Sequence, residues 1–310
     1  MASMARQWGR VEHALQDKVE LFTRRVMEEG ITPTAILSRQ FQLDRYNELL
    51  RQTRREMDKY TDYLAPLIET GQRQAGAAGI AQSIAAIETV GEMNDITIKF
   101  DRLPVSAIED MVGLAGDGSP LRATLTSTYG VGANGMLDRL VRGVALGQNP
   151  RVVARSMVRD GLSQSLSRMM TVARTEQLRV YKESSLSTYR SSGVVSKYKR
   201  LSAHDSRVCV GCLSQDGKEI ELSESFKSHP NCRCAAVPVV NGMPPVKWLS
   251  GGDWLAEQPH DVQVEILGPS RFGMWQNGMS FDRFATVRPN ATWGDAIVPT
   301  TVRELQSNAN

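Results

Sequence analysis

The sequence predicts a mainly α-helical chain with one small β-rich, zinc-clamped module near residue 200, α+β overall. Three observations carry that expectation. Over roughly the first 190 positions apolar residues recur at helical spacing with almost no alternation of period two. Residues Val194 to Val240 then switch to short alternating runs around an Asp216-Gly217 turn. All four cysteines fall between Cys209 and Cys234, too clustered to staple a chain of 310 residues.

Composition sets the outer bounds. With 41% hydrophobic and 23% charged residues the chain is globular, and its length allows two domains. A net charge of +3, from 37 basic and 34 acidic side chains, excludes a basic tail or an acidic solvating protein as a whole-chain description. Met1 to Arg10 is followed by Val11-Glu12-His13 instead of an apolar stretch, so no signal peptide is readable and secretion is not expected. Gln82, Ser83 and Glu88 interrupt the apolar segment Ala75 to Gly91 short of the ~20 residues a bilayer span needs, and no membrane contact is expected.

From Ile36 to Leu67 the side chains Ile36, Leu43, Tyr46, Leu50, Thr53, Met57, Tyr60, Leu64 and Leu67 outline a heptad seam. Arg39 occupies a seam position, and Thr53 and the tyrosines dilute it, so a helix packed on neighbours or a partner is expected over an isolated coiled coil. Leu43, Tyr46, Leu50, Met57, Tyr60 and Leu64 are the candidate interface residues, and Pro66 reads as a kink or end. A Gly/Ala-rich helix follows. Ser119-Pro120 and Asn149-Pro150 each read as helix starts, with proline in the first turn. Glycines 130, 132 and 135 are expected to interrupt the first of these helices, and a second stops at Gly147. A helix to Asp160 and a longer one from Ser163 to Ser191, ended by Gly193, complete the helical part.

Val194 to Leu201 then reads as a strand, Asp216-Gly217 as a hairpin turn between Leu213 and Ile220, and Ala235 to Val240 as another strand. Beyond the linker Gly242-Met243-Pro244-Pro245 lies a tail holding Trp248, Trp254, Trp275 and Trp293, four of the five tryptophans. Frequent glycine and proline there predict short helices and loops packed back on the module.

The chemistry lies in Cys209-x-x-Cys212 and, after sixteen residues, His229-x-x-Cys232-x-Cys234. A C-x-x-C on a tight turn brings two thiolates within ~2.3 Å of one ion, and a second pair across a hairpin completes a tetrahedral structural zinc site. Five donors compete for four positions. Cys209, Cys212 and Cys232 are expected, with Cys234 or His229 as the fourth; strand alternation puts Cys232 and Cys234 on one face and favours the all-cysteine set. The expected cofactor is thus structural Zn2+, against disulfides or uncoordinated thiols. Glu219, Glu221 and Glu224 read as solvated acids flanking a turn, and no nucleophile elbow, phosphate loop or Ser/His/Asp spacing is present, so no catalytic residue is expected. A zinc-dependent or transferase-type enzyme is the alternative.

Charge supplies a second feature. Residues 151 to 200 carry eleven basic and three acidic groups, and Arg151, Arg155 and Arg159 share one helix side. They are candidate contacts to duplex DNA, read as non-specific. Without interleaved aromatics a solvated or partner-facing helix surface competes with that reading.

Between Leu140 and Val240 one ordered set of motifs is distinctive: Gly147-Gln148-Asn149-Pro150, Ala173-Arg174-Thr175-Glu176, Gly193-Val194, Tyr198, Asp205-Ser206-Arg207-Val208-Cys209-Val210-Gly211-Cys212, Asp216-Gly217 and His229-Pro230-Asn231-Cys232-Arg233-Cys234. It resembles the phage Mu F-like minor head proteins, the head morphogenesis proteins of tailed bacteriophages. The resemblance implies a minor capsid protein, a non-enzymatic viral structural protein of the virion. It would associate with the portal inside the head, after assembly in the host cytoplasm. Its role would be virion assembly, extending to genome packaging or ejection. Implied partners are the portal protein, the major capsid or scaffold protein, further copies of the chain and the genome; a DNA-binding virion protein using residues 151–200 is the alternative.

The family's Cys/His cluster carries over onto Cys209, Cys212, His229, Cys232 and Cys234 without a gap. Arg174-Thr175-Glu176 carries over with no role readable from sequence. The expected organisation is a helical interaction and portal-docking region at 1–135, a head morphogenesis domain at 136–240 with its Cys/His module at 194–240, and a Trp-rich extension at 241–310 packed on the module.

Overall fold

Three helices of 27 residues or more run through the described residues, 2–34, 44–290 and 293–307 of this computed structural model. Helix α1 spans Ala2–Glu28, and α2 continues unbroken from Asp44 to Glu92. Pro66 lies inside α2 and does not end it. Its ring is exposed, so the carbonyl left without an N–H donor can be hydrated. The chain divides into two compact units, each made from two stretches: Met1–Glu69 with Ser119–Ala173, and Thr70–Gly118 with Arg174–Asn310.

The first unit is helical. To α1 and the start of α2 it adds α3 (Leu121–Ser127), α4 (Tyr129–Ala145), α5 (Pro150–Ser156), a π-helical turn at Met157–Gly161 and the start of α6 (Leu162–Ser192). Asn149 caps α5 by accepting from the Arg151 N–H at 2.9 Å, with proline in the first turn, as its sequence predicts. The buried residues of α2 here are Leu49, Thr53, Met57, Tyr60, Leu64 and Ile68, with Thr61 and Ala65 beside them, while Leu50 is half-buried and Leu67 exposed. A straight helix of 3.6 residues per turn drifts off a strict heptad, so the burial stripe leaves the seam at both ends. Met57, Tyr60 and Leu64 build the unit's own core; the Tyr60 hydroxyl donates to the Met4 carbonyl at 2.9 Å, and its ring meets Trp8 edge-on at 5.1 Å. Leu43 and the Tyr46 side chain lie outside the described residues.

The glycines expected to break a helix instead lie within α4. A β-carbon at Gly135 would come within 2.2 Å of the Gly161 carbonyl oxygen, so glycine is what lets α4 and the π turn touch backbone to backbone.

The second unit holds the rest of α2 and α6 and a three-stranded antiparallel sheet in the order β2–β1–β3. Strand β1 is Val195–Leu201, β2 is Glu219–Glu221 and β3 is Ala235–Val240. Leu213 belongs to a short helix, α7 (Val210–Leu213), so Asp216-Gly217 leads from helix into strand and β2 pairs with β1. The tail forms α8 (Gly251–Ala256), α9 (His260–Leu267), α10 (Pro269–Gln276), a strand pair β4 (Ala285–Arg288) and β5 (Ala296–Pro299), and α11 (Val302–Ser307).

Two apolar cores flank α7. Tyr189, Leu186, Tyr198 and Phe226 pack with Cys212, Cys232 and Cys234, while Val208, Val210 and Leu213 pack with Leu255, Leu267, Phe284 and Leu305 of the tail. The architecture is therefore mainly α with a small antiparallel module, α+β in class. No described helix is long and apolar enough to cross a membrane.

Candidate metal centre

Two chain arms meet at the cysteines. In the first, Cys209 immediately precedes α7, and the Cys212 backbone N–H reaches the Cys209 sulfur, the geometry a C-x-x-C adopts when a helical turn starts inside it. Val210 and Leu213 anchor this turn in the tail core. A β-carbon at Gly211 would lie 2.7 Å from the Val298 carbonyl carbon, so only glycine admits β5 here.

In the second arm the Cys232 N–H closes a turn on the His229 carbonyl at 3.1 Å, with Asn231 at a φ of 61°. Asparagine is among the few side chains that tolerate this left-handed region. Arg233 joins the arms through a two-pronged ion pair to Asp205, at 2.6 and 2.7 Å. The Arg233 guanidinium holds the Asp205 carboxyl down at about 2.

Five donors converge as two triangles sharing Cys212. The donor atoms of Cys209, Cys212 and His229 lie within 4.8 Å of one another, and so do those of Cys212, Cys232 and Cys234. None of the cysteines is disulfide-bonded. The sulfurs of Cys212 and Cys232 are 3.8 Å apart. A disulfide would require about 2.05 Å, whereas a tetrahedron with metal–sulfur bonds of about 2.3 Å has edges of about 3.8 Å. His229 places Nδ1 2.8 Å from the Pro230 carbonyl oxygen and Nε2 3.1 Å from the Cys212 sulfur. With the proton assigned to Nδ1, the Nε2 lone pair faces the cluster, the orientation of a ligating imidazole.

The electrostatics fit the same chemistry. Arg200 is fully buried, with Nη2 3.6 Å from the Cys212 sulfur and 3.5 Å from that of Cys232; Nη1 donates to the Lys227 carbonyl, and the guanidinium lies 4.5 Å over the Phe226 ring. Lys182, 3% exposed, donates to the Cys232 carbonyl at 2.7 Å. Among the described residues neither cation has a carboxylate ion pair, and a buried cation without a counter-charge is costly. The thiolate forms of Cys209 and Cys232 would supply that charge. Hydrogen bonding from Cys212 draws the Cys209 thiol down to about 4 against the effect of burial. Hydrogen bonding from Cys212 holds Cys232 far below the usual thiol range, while hydrogen bonding with Cys209, then with Cys232 and Cys234, pushes Cys212 far above it, and Cys234 is pushed up to about 11. An anionic sulfur cluster balanced by buried cations suits a soft divalent metal.

Glu219, Glu221 and Glu224 are exposed, and Glu221 pairs with Lys197 at 3.0 Å. Arg151 pairs with Glu20 at 2.8 Å and Arg159 with Asp160 at 3.2 Å, while Arg155 is exposed without an ion pair among the described residues. Sequence reasoning left Thr175 and Glu176 without a role. Thr175 Oγ1 accepts from the Asn231 N–H at 3.0 Å, inside the metal arm. The fully buried Glu176 carboxylate accepts from the Gly116 N–H, the Trp293 indole and Arg179, at 3.1, 3.1 and 2.7 Å. The readable signal was an acid three residues before Arg179 in a helix, next to a hydroxyl. Asp216, in the predicted turn, is a second such knot, accepting from the Ser202 N–H at 2.6 Å and the Trp248 indole at 3.2 Å.

The family described as Phage Mu protein F like protein matches residues 134–237, a span containing all five donors. No curated protein and no solved structure matches the chain.

Proposed function

We propose, from the match of residues 134–237 to the phage Mu F-like family, that this chain is a minor structural protein of a tailed-phage head, associated with the portal on the head interior. The family match carries the reading, with the Cys/His cluster inside the matched span as its physical counterpart. A protein of this kind needs a rigid surface more than a catalytic pocket. A metal held by four of the donors Cys209, Cys212, His229, Cys232 and Cys234 would fasten the two arms at a second point beside the Arg233–Asp205 ion pair. Zinc suits the donor set, its role being structural, and no enzymatic activity is part of the proposal.

In this reading the helical region 1–135 docks on the portal or capsid, residues 136–240 form the morphogenesis domain and residues 241–310 brace it. The test is composition of purified heads. The chain is expected in few copies per head together with the portal protein, and heads assembled normally without it would overturn the proposal. Duplex contact through Arg151, Arg155 and Arg159 is the second reading, supported by the exposure of Arg155.

A further inference from the structure

Thr175, Lys182 and Tyr189 stand seven residues apart, about two helical turns, and so share one face of α6. All three are buried, and each hydrogen-bonds the main chain of one short segment. Thr175 Oγ1 accepts from the Asn231 N–H at 3.0 Å; Lys182 Nζ donates to the Cys232 carbonyl at 2.7 Å; the Tyr189 hydroxyl donates to the Ala236 carbonyl at 3.0 Å. That segment carries Cys232 and Cys234. It begins at Asn231, whose left-handed backbone persists only where its surroundings hold it. The Thr175 hydroxyl meets the N–H of that residue. None of the three bonds involves a metal donor atom, so none depends on an ion being bound.

We propose that Thr175, Lys182 and Tyr189 are positioning residues of the metal centre: this face of α6 fixes the path of residues 231–236 and presents Cys232 and Cys234 before the metal arrives. The first arm is held differently, by packing of Val210 and Leu213 in the tail core. The centre is thus assembled from two pre-formed halves, unlike small zinc domains that fold only on binding the ion. The presenting role rests on the metal reading above; the hold on the segment does not.

The experiment is amide hydrogen exchange of the peptide covering residues 229–236 in the full chain, zinc-loaded and after chelation. It compares wild type with Thr175→Val/Lys182→Met/Tyr189→Phe, Thr175→Val and Thr175→Ser. Chelated wild type should stay within about threefold of its zinc-loaded rate. The triple variant, with its helical circular dichroism retained, should exchange roughly tenfold or more faster in both states. Thr175→Val should lie between, and Thr175→Ser, which keeps the acceptor, should return to the wild-type rate. If the triple variant loses its helix, the comparison of valine with serine at 175 decides by the same readout.

The proposal is overturned if chelated wild type exchanges as fast as the triple variant, or if removing the side-chain bonds leaves the rate unchanged. Failure of the metal reading shows up elsewhere, as less than about half an equivalent of zinc in reduced wild type. The exchange rates are read in either case.

Discussion

The unit formed by Met1–Glu69 and Ser119–Ala173 buries Trp8, Tyr60, Leu64 and Met136, and among the described residues its buried polar side chains are all hydroxyls. Some of these bond within their own helix, as Thr23 does to Val19 and Thr53 to Leu49. The other unit buries Glu176, Lys182, Arg200 and Asp216 among its apolar residues. One is organised by filling volume, the other by satisfying charges and main-chain groups around a sulfur cluster. The two should therefore fail in different ways.

The largest separation is expected from Arg200. Replacing it with methionine keeps the apolar stem but leaves the sulfurs of Cys212 and Cys232 without their buried cation. Breaking a buried charge pair on one side costs roughly 3–5 kcal/mol, so denaturant unfolding should show a loss of that order together with reduced bound metal. Leu64→Ala is the counterpart in the helical unit, where a cavity costs roughly 2–5 kcal/mol. It should leave metal content unchanged. Equal metal loss in both variants would erase the distinction between the units.

A smaller effect is expected at Glu176. Glutamine keeps the shape and an acceptor for the Gly116 N–H but gives up the charge that Arg179 meets at 2.7 Å. A hydrogen bond to a charged partner is worth roughly 1.5–3 kcal/mol, and thermal unfolding of Glu176→Gln should fall within that cost. Metal content should stay at the wild-type level, because Glu176 bonds the Gly116 loop and Trp293 and touches no donor. Metal loss on this change would place Glu176 in the centre itself.

The same contrast explains what could be read from sequence. Helix starts at Asn149-Pro150, strands at residues 195–201 and 235–240 and the donor spacing were legible because each depends on residues close in the chain. The run of α2 through Pro66 was not, since proline's local preference was outweighed where its ring faces water. The glycines of α4 were misleading for a related reason: what they serve is contact with Gly161, which no local pattern announces. Thr175, Glu176, Lys182 and Asp216 were silent because, apart from Arg179 beside Glu176, their partners lie 12 to 117 residues away. The heptad seam was half legible, its middle buried as expected and its C-terminal end, Leu67, turned outward by helical drift.

The smallest effect belongs to the surface of the helical unit. Arg155 is exposed and unpaired among the described residues, so Arg155→Ala should change stability by no more than about 0.5 kcal/mol. Arg151 and Arg159 must leave Glu20 and Asp160 before meeting a phosphate, which costs part of what the contact returns. If this face touches duplex DNA, Arg155 therefore contributes most, and its loss should flatten the dependence of log affinity on log salt by about 0.9, one phosphate's share. Arg151→Ala should change the slope less, because it removes an arginine already neutralised by Glu20. A slope that responds equally to both changes would mean that the ion pair with Glu20 opens freely. The surface of this unit would then act through charge as the interior of the other does.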